Sequence, residues 1–156
     1  YCMTSQLNVD TIVDKAGSSG PSLPNTTTIK MGNTSTYVSD GGATTQNTVQ
    51  GLAKLWVKLD GTQSAGSMVQ DSFNVGSMTD SGTGRHIINF SNNMNSVQYS
   101  YSGFARQDGS DDRAIILGQE EDDGTDTSNL PITTQNDGGS YVDTAGIGVT
   151  LHGDLA

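Results

Sequence analysis

Two acidic runs are the first places where this sequence could do chemistry. Asp108-Gly109-Ser110-Asp111-Asp112 and Glu120-Glu121-Asp122-Asp123-Gly124-Thr125-Asp126 gather carboxylates, the hard oxygen donors that calcium takes in sets of roughly six to eight. Neither run has the Asp-x-Asp-x-Asp-Gly spacing with a distal Glu that wraps a loop around the ion. Adjacent acids repel one another and extend into water, so both runs read as solvated loops, with no metal and no cofactor assigned. His86 and His152 are the two imidazoles that could serve as a general base. Neither neighbours a Gly-x-Ser-x-Gly elbow, and a base needs a positioned nucleophile and an orienting acid to drive acyl transfer. Glycoside hydrolysis requires two carboxylates at a set separation, and nothing in the sequence fixes such a pair. Gly82-Thr83-Gly84 lacks the Lys-Ser/Thr that completes a phosphate loop. The expectation is a protein that is not an enzyme.

Aromatic residues offer recognition rather than catalysis. Trp56 lies opposite Leu55 and Val57 and beside Lys54 and Lys58, so it faces either solvent or another subunit. Tyr99 and Tyr101 fall on one face of their segment and Phe104 on the other. Large aromatics dominate core and interface energetics, so most of these are expected in the core or at a subunit contact. The 17 acidic residues outnumber the 7 basic ones, giving a net charge of −10. Nucleic-acid affinity rests on neutralising phosphates, so no nucleic-acid partner is expected, and an anionic membrane surface is disfavoured for the same reason. Proteins and glycans remain as partners. No apolar run is long enough to span a bilayer, so no membrane insertion is expected. Cys2 is the single cysteine, which excludes an intrachain disulfide within these 156 residues. Either Met3 begins a short complete product, or the chain is a fragment of a longer one.

The elements that must position these residues are strands. Ala53, Leu55, Val57 and Leu59 alternate with polar neighbours and run into an Asp60-Gly61 turn, the pattern of a half-buried strand. A second strand is expected over residues 69–75, with Val69, Asp71, Phe73 and Val75 on one face and Asp71 interrupting it. Another spans 85–90, where His86, Ile88 and Phe90 share a face. Residues 97–106 alternate throughout. Residues 113–118 hold the continuous run Ala114-Ile115-Ile116-Leu117, expected to be buried on both faces. Segments 139–142 and 146–151 close the series, with Ile147, Val149 and Leu151 alternating in the last. Short strands separated by Gly, Asn and Asp turns predict an all-β fold: a small antiparallel β-sandwich or jelly-roll-like domain over residues 49–156.

Residues 1–48 differ in character. After one candidate strand at 6–13 comes a linker-like stretch over Ala16–Asn25, then a segment, Thr26–Thr48, dominated by Thr, Ser, Asn and Gly. Such a segment buries too little apolar surface to order itself alone. It is expected to be an extended polar arm, anchored on a neighbouring chain or particle through Leu7, Val9, Ile12, Leu23 and Ile29. Hydrophobic residues make up 32% of the chain, short of what a monomer needs for a large core, so self-association is expected.

Two stretches are similar to known proteins. Leu7-Asn8-Val9-Asp10-Thr11-Ile12-Val13-Asp14-Lys15-Ala16-Gly17 resembles the Leu-x-Val-Asp-x-Ile-x-Asp-x-x-Gly opening of tail-fibre-like proteins of marine tailed bacteriophages. Gly51-Leu52-Ala53-Lys54-Leu55-Trp56-Val57, Leu59-Asp60-Gly61-Thr62, and Asp71-Ser72-Phe73-Asn74-Val75-Gly76-Ser77-Met78-Thr79-Asp80-Ser81-Gly82-Thr83-Gly84 with Ile88-Asn89-Phe90 resemble a module of phage fibre and virion-surface proteins. The closing Leu151-His152-Gly153-Asp154-Leu155-Ala156 is similar to the final strand of such modules. Continuous similarity is clearest from Gly51 to Phe90. Leu59 stands where the family usually has an aromatic, and His86 or Ile87 where a Tyr is common; both are core-type exchanges.

The resemblance implies a structural protein on the exterior of a phage particle, commonly a homotrimer in contact with other virion proteins. It also implies a small sandwich core in which Trp56, Phe73 and Phe90 sit on successive strands. Two roles follow. In a tail fibre or appendage, a C-terminal domain meets a host surface glycan or protein, and loops bearing Asp108, Asp111, Asp112, Glu120, Glu121, Asp122 and Asp123 form the receptor-facing tip. In a capsid decoration (cement) protein, the arm lies along capsomer seams and the trimer sits at local three-fold positions; in either role Leu7, Val9, Ile12, Leu23, Ile29 and Trp56 are the expected oligomer or virion contacts. The fibre reading is preferred on the module resemblance.

Overall fold

A computed structural model describes residues 35–38, 45–106, 116–118 and 126–156, all within the compact unit Gly32–Ala156. Its strands are β1 (Thr36–Val38), β2 (Thr45–Asn47), β3 (Leu55–Leu59), β4 (Val69–Phe73), β5 (Val75–Gly82), β6 (Arg85–Phe90), β7 (Ser100–Arg106), β8 (Ile116–Gly118), β9 (Asn129–Gln135) and β10 (Gly146–His152). A single helical turn, α1 (Thr48–Gly51), precedes β3. β1 and β2 pair with each other in a small antiparallel hairpin, which lies inside the stretch expected to be an extended arm. The other eight strands form two antiparallel sheets, β4-β3-β10-β7 (sheet I) and β5-β6-β9-β8 (sheet II).

One core joins the two sheets. Leu55, Val57 and Leu59 of β3 and Ile147, Val149 and Leu151 of β10 are buried from sheet I. Met78, Ile88, Phe90, Leu130 and Ile132 are buried from sheet II, with Met68 and Met94 from the connections. In β3 and β6 burial alternates, as a two-residue period requires when one face meets the opposite sheet. This is the sandwich expected from the alternation, and each fully buried Leu or Ile contributes about 1.5–3 kcal/mol. Tyr99 closes one side: its ring meets Phe90 edge-on at 6.1 Å, and its one hydroxyl proton is shared between the Asp126 and Asn129 carbonyls, each 3.0 Å away.

The segment 69–75 is not one strand. β4 ends at Phe73 in sheet I and β5 begins at Val75 in sheet II, with Asn74 as the corner. Asn74 has φ +61°, a left-handed conformation that Asn tolerates because its short amide can bond locally. Its Oδ1 accepts from the Asn92 backbone N–H at 2.7 Å and its Nδ2 donates to the Asn92 carbonyl at 3.0 Å. The side chain thus pairs with a peptide group as a strand residue would.

A bulge also shifts the phase of β4. Lys58 faces Asp71 while Leu59 faces Val69, so Gln70 is the extra residue. Val69 then turns inward against the core, whereas Asp71 and Phe73 turn outward. Phe73, expected in the core, is instead 51% exposed.

β9 had no counterpart among the expected strands, yet it is central in sheet II and buried from Leu130 to Thr134. Pro131 argues against a central strand, because proline removes a ladder donor. Here Phe90 N–H donates to the Ser128 carbonyl and pairing continues two residues at a time. Pro131, opposite Ile87, therefore falls at a non-hydrogen-bonded pair of the β6 ladder. On its other side the described residues of β8 pair with Thr133–Gln135. Among the described strands β8 lies at the edge of sheet II; the burial expected for residues 113–118 lies outside what is described. The expected strand at 139–142 is a turn after Asn136, followed by an isolated bridge from Gln135 to Tyr141.

Candidate functional site

Sheet I presents its outer face as two adjoining rows of side chains. In register, Phe73 lies beside Trp56, Trp56 beside Thr150, and Thr150 beside Ser102. The next row runs Asp71, Lys58, Gly148 and Phe104. Trp56 is 39%, Phe73 51% and Phe104 59% exposed, so three large aromatics sit in water on one face. Directly opposed aromatic pairs such as Trp56–Phe73 stabilise an antiparallel pair by about 0.2–1 kcal/mol, far less than burial of either ring would supply.

Glycine decides how the rows lie. A side chain at 148 would collide with the Phe104 ring, which occupies that space across β10. A Cβ at 146 would come within 2.8 Å of the Arg106 Cβ, so Arg106 lies across β10 one step further along. Phe104 thereby rests on the sheet instead of standing away from it. Between it and Trp56 an open groove of about 430 Å³ is lined by Lys58, Ser102, Gly148 and Thr150 as well as the two aromatics. Its charge departs from that of the whole chain: Lys58 and Arg106 stand against Asp71 on this face, in a protein of net charge −10.

Trp56 is the site residue anticipated from sequence that this geometry places, and it faces solvent. Lys54, expected beside it, is buried. Phe104 was assigned to the face opposite Tyr99 and Tyr101, as found, but its partnership with Trp56 was not anticipated. Leu7, Val9, Ile12, Leu23 and Ile29, and the acidic positions Asp108, Asp111, Asp112, Glu120, Glu121, Asp122 and Asp123, lie outside the described residues.

A second locus is His86, expected as an ordinary strand residue. It is buried on β6, and neither ring nitrogen has a hydrogen-bond partner among the described residues. Asp143 Oδ1 is 4.0 Å from Nε2, and that same oxygen accepts from the Gly84 N–H at 2.6 Å. Gly61 packs against the ring so closely that a Cβ there would be 2.8 Å from Nε2. Burial pushes the imidazole pKa below its usual value, with Asp143 and Asp80 opposing that shift. No nucleophile is placed against His86 by any described hydrogen bond, and among the described residues no group of three or more His, Cys, Asp or Glu could hold a metal ion. The outer face of sheet I is therefore the better candidate site.

No protein-family model, no curated protein and no solved structure matches this chain.

Proposed function

We propose that the chain is a non-catalytic structural protein of a tailed-phage exterior, a tail fibre or appendage whose sandwich domain recognises a host surface. The observation that carries this reading is the exposed Trp56, Phe73 and Phe104 cluster on central and flanking strands of a well-packed sandwich. Aromatics held on a rigid sheet supply contact area at low entropic cost, which is what a recognition surface needs. The resemblance of 51–90 to phage fibre modules supports the choice of particle, and the exposed aromatic face supports recognition as its role. This reading puts recognition on sheet I; the acidic positions Asp108, Asp111, Asp112, Glu120, Glu121, Asp122 and Asp123 lie outside the described residues. Assembly as a homotrimer, with other virion proteins as neighbours, belongs to the same reading.

Quantitative mass spectrometry of purified particles tests it. A copy number near the tail symmetry is expected for an appendage. A copy number matching the major capsid protein would make the chain a decoration protein, and its absence from particles would overturn the reading. Light scattering of the purified chain is expected to give three times the 16.3 kDa monomer mass.

A further inference from the structure

We infer that the groove between Trp56 and Phe104 is a saccharide subsite, and that its ligand carries a carboxylate on a pyranose ring. This rests on the reading of the chain as a host-recognition protein and names the ligand class of the same face. Three features carry it.

The first is shape. At about 430 Å³ the groove falls within the range of roughly 300–1,000 Å³ occupied by small-ligand clefts, and it combines an apolar lining with a few polar groups. A protein anchor protrudes to fill a pocket on its partner. Phe104 does the reverse, lying over Gly148, so the surface is a shallow trough that receives a flat ligand. The second is surface chemistry. Aromatic faces carry negative charge density and attract the weakly positive C–H groups on one side of a pyranose ring. Ser102 and Thr150 line the groove beside them, and a hydroxyl of either type can exchange hydrogen bonds with sugar hydroxyls.

The third feature is charge. Lys58 lines the groove and, with Asp71 as its cross-strand neighbour on the side away from Gly148, makes no described ion pair. Lys58 is the one charged residue in the groove's lining. A mildly cationic aromatic trough on a protein of net charge −10 is complementary to an anionic sugar, whereas the rest of the chain repels one. Partial burial of the carboxylate against Trp56 strengthens its attraction to Lys58 relative to open water.

The assay is built into the molecule, because Trp56 is the single tryptophan and its emission reports on the groove. Trigalacturonate is titrated into the full chain, with maltotriose as the neutral control. A saturable change in emission with trigalacturonate is expected, weakened by added salt and about tenfold weaker or absent with maltotriose. Phe104→Ala and Lys58→Gln are each expected to weaken binding by about tenfold, with far-UV circular dichroism and urea midpoint showing that both variants fold. Binding unchanged in Lys58→Gln, or equal affinity for the neutral sugar, overturns the anionic assignment. No response to either sugar overturns the subsite. Emission that instead depends on protein concentration, with mass changing in step by light scattering, assigns the face to contact between copies and also overturns it. A chain present in particles but silent to sugars loses the subsite and keeps its virion role; a sugar-binding chain absent from particles does the opposite.

Discussion

Asn74 is the residue whose replacement tests the architecture most directly, because the chain leaves sheet I and enters sheet II through it. Alanine there loses two hydrogen bonds to the Asn92 backbone, at 2.7 and 3.0 Å. Each is worth about 0.5–1.5 kcal/mol net, and exposure of the corner puts the pair at about 1–2 kcal/mol. Alanine must also adopt φ +61°, which costs an L-residue with a simple Cβ about 1 kcal/mol more. The expected loss is about 2–3 kcal/mol for Asn74→Ala, and about 1–2 kcal/mol for Asn74→Gly, which gives up the bonds but not the conformation. Equilibrium urea unfolding followed by Trp56 emission measures both. With a slope of about 1–3 kcal/mol per molar, the alanine midpoint should fall by about 1 M or more. The order wild type, glycine, alanine is the essential result. An alanine variant as stable as the glycine one would refute the backbone argument. Wild-type stability in both would show that the Asn92 contacts do not hold the corner.

Other outcomes follow from buried polar groups. The His86 imidazole is disfavoured as a cation when folded, so the unfolded chain binds the extra proton more readily. Stability from this group is complete above the unfolded value of about 6.5 and is lost as pH falls below it. The urea midpoint should therefore drop between about pH 7.5 and pH 5.5, and His86→Phe should flatten that dependence; an unchanged slope would sink the assignment. Tyr99 is held in its neutral form, its pKa raised to about 12 by burial first and by nearby Asp126 and Tyr101 next. Its folded value exceeds the unfolded one, so its contribution is present below about pH 10 and lost as pH rises toward the folded value. Tyr99→Phe keeps the ring contact with Phe90 but strands the Asp126 and Asn129 carbonyls, costing about 1 kcal/mol by urea unfolding. An alkaline titration of the folded protein should lose one late-ionising tyrosine in that variant.

The strands over Leu55–Leu59, Arg85–Phe90 and Gly146–His152 were legible because each is regular and has one face on the core, so a two-residue period is written directly in the residues. Where the backbone departs from regularity, the period misleads. The bulge at Gln70 reverses which residues of β4 face inward, so the alternation of Val69 with Phe73 put both in the core when only Val69 packs there. Asn74 ends a strand without glycine or proline to announce it. Pro131 disguised a central strand, because whether proline is tolerated depends on its register against β6. Of the outer face of sheet I, Trp56 and its outward direction could be read from the flanking Leu55 and Val57. Its neighbours could not.

The sequence by itself determined the all-β class, the acidic charge, and the inward sets of the regular strands, since these depend on composition and on contacts two residues apart. Tertiary structure decided that β10, from the far end of the chain, lies between β3 and β7. That pairing brings Trp56, Gly148 and Phe104 side by side although they are distant in sequence. It also decided that Phe104 lies down over a glycine, which no local pattern encodes. Strand order is fixed by which apolar faces close a common core, a property of the whole chain rather than of any segment.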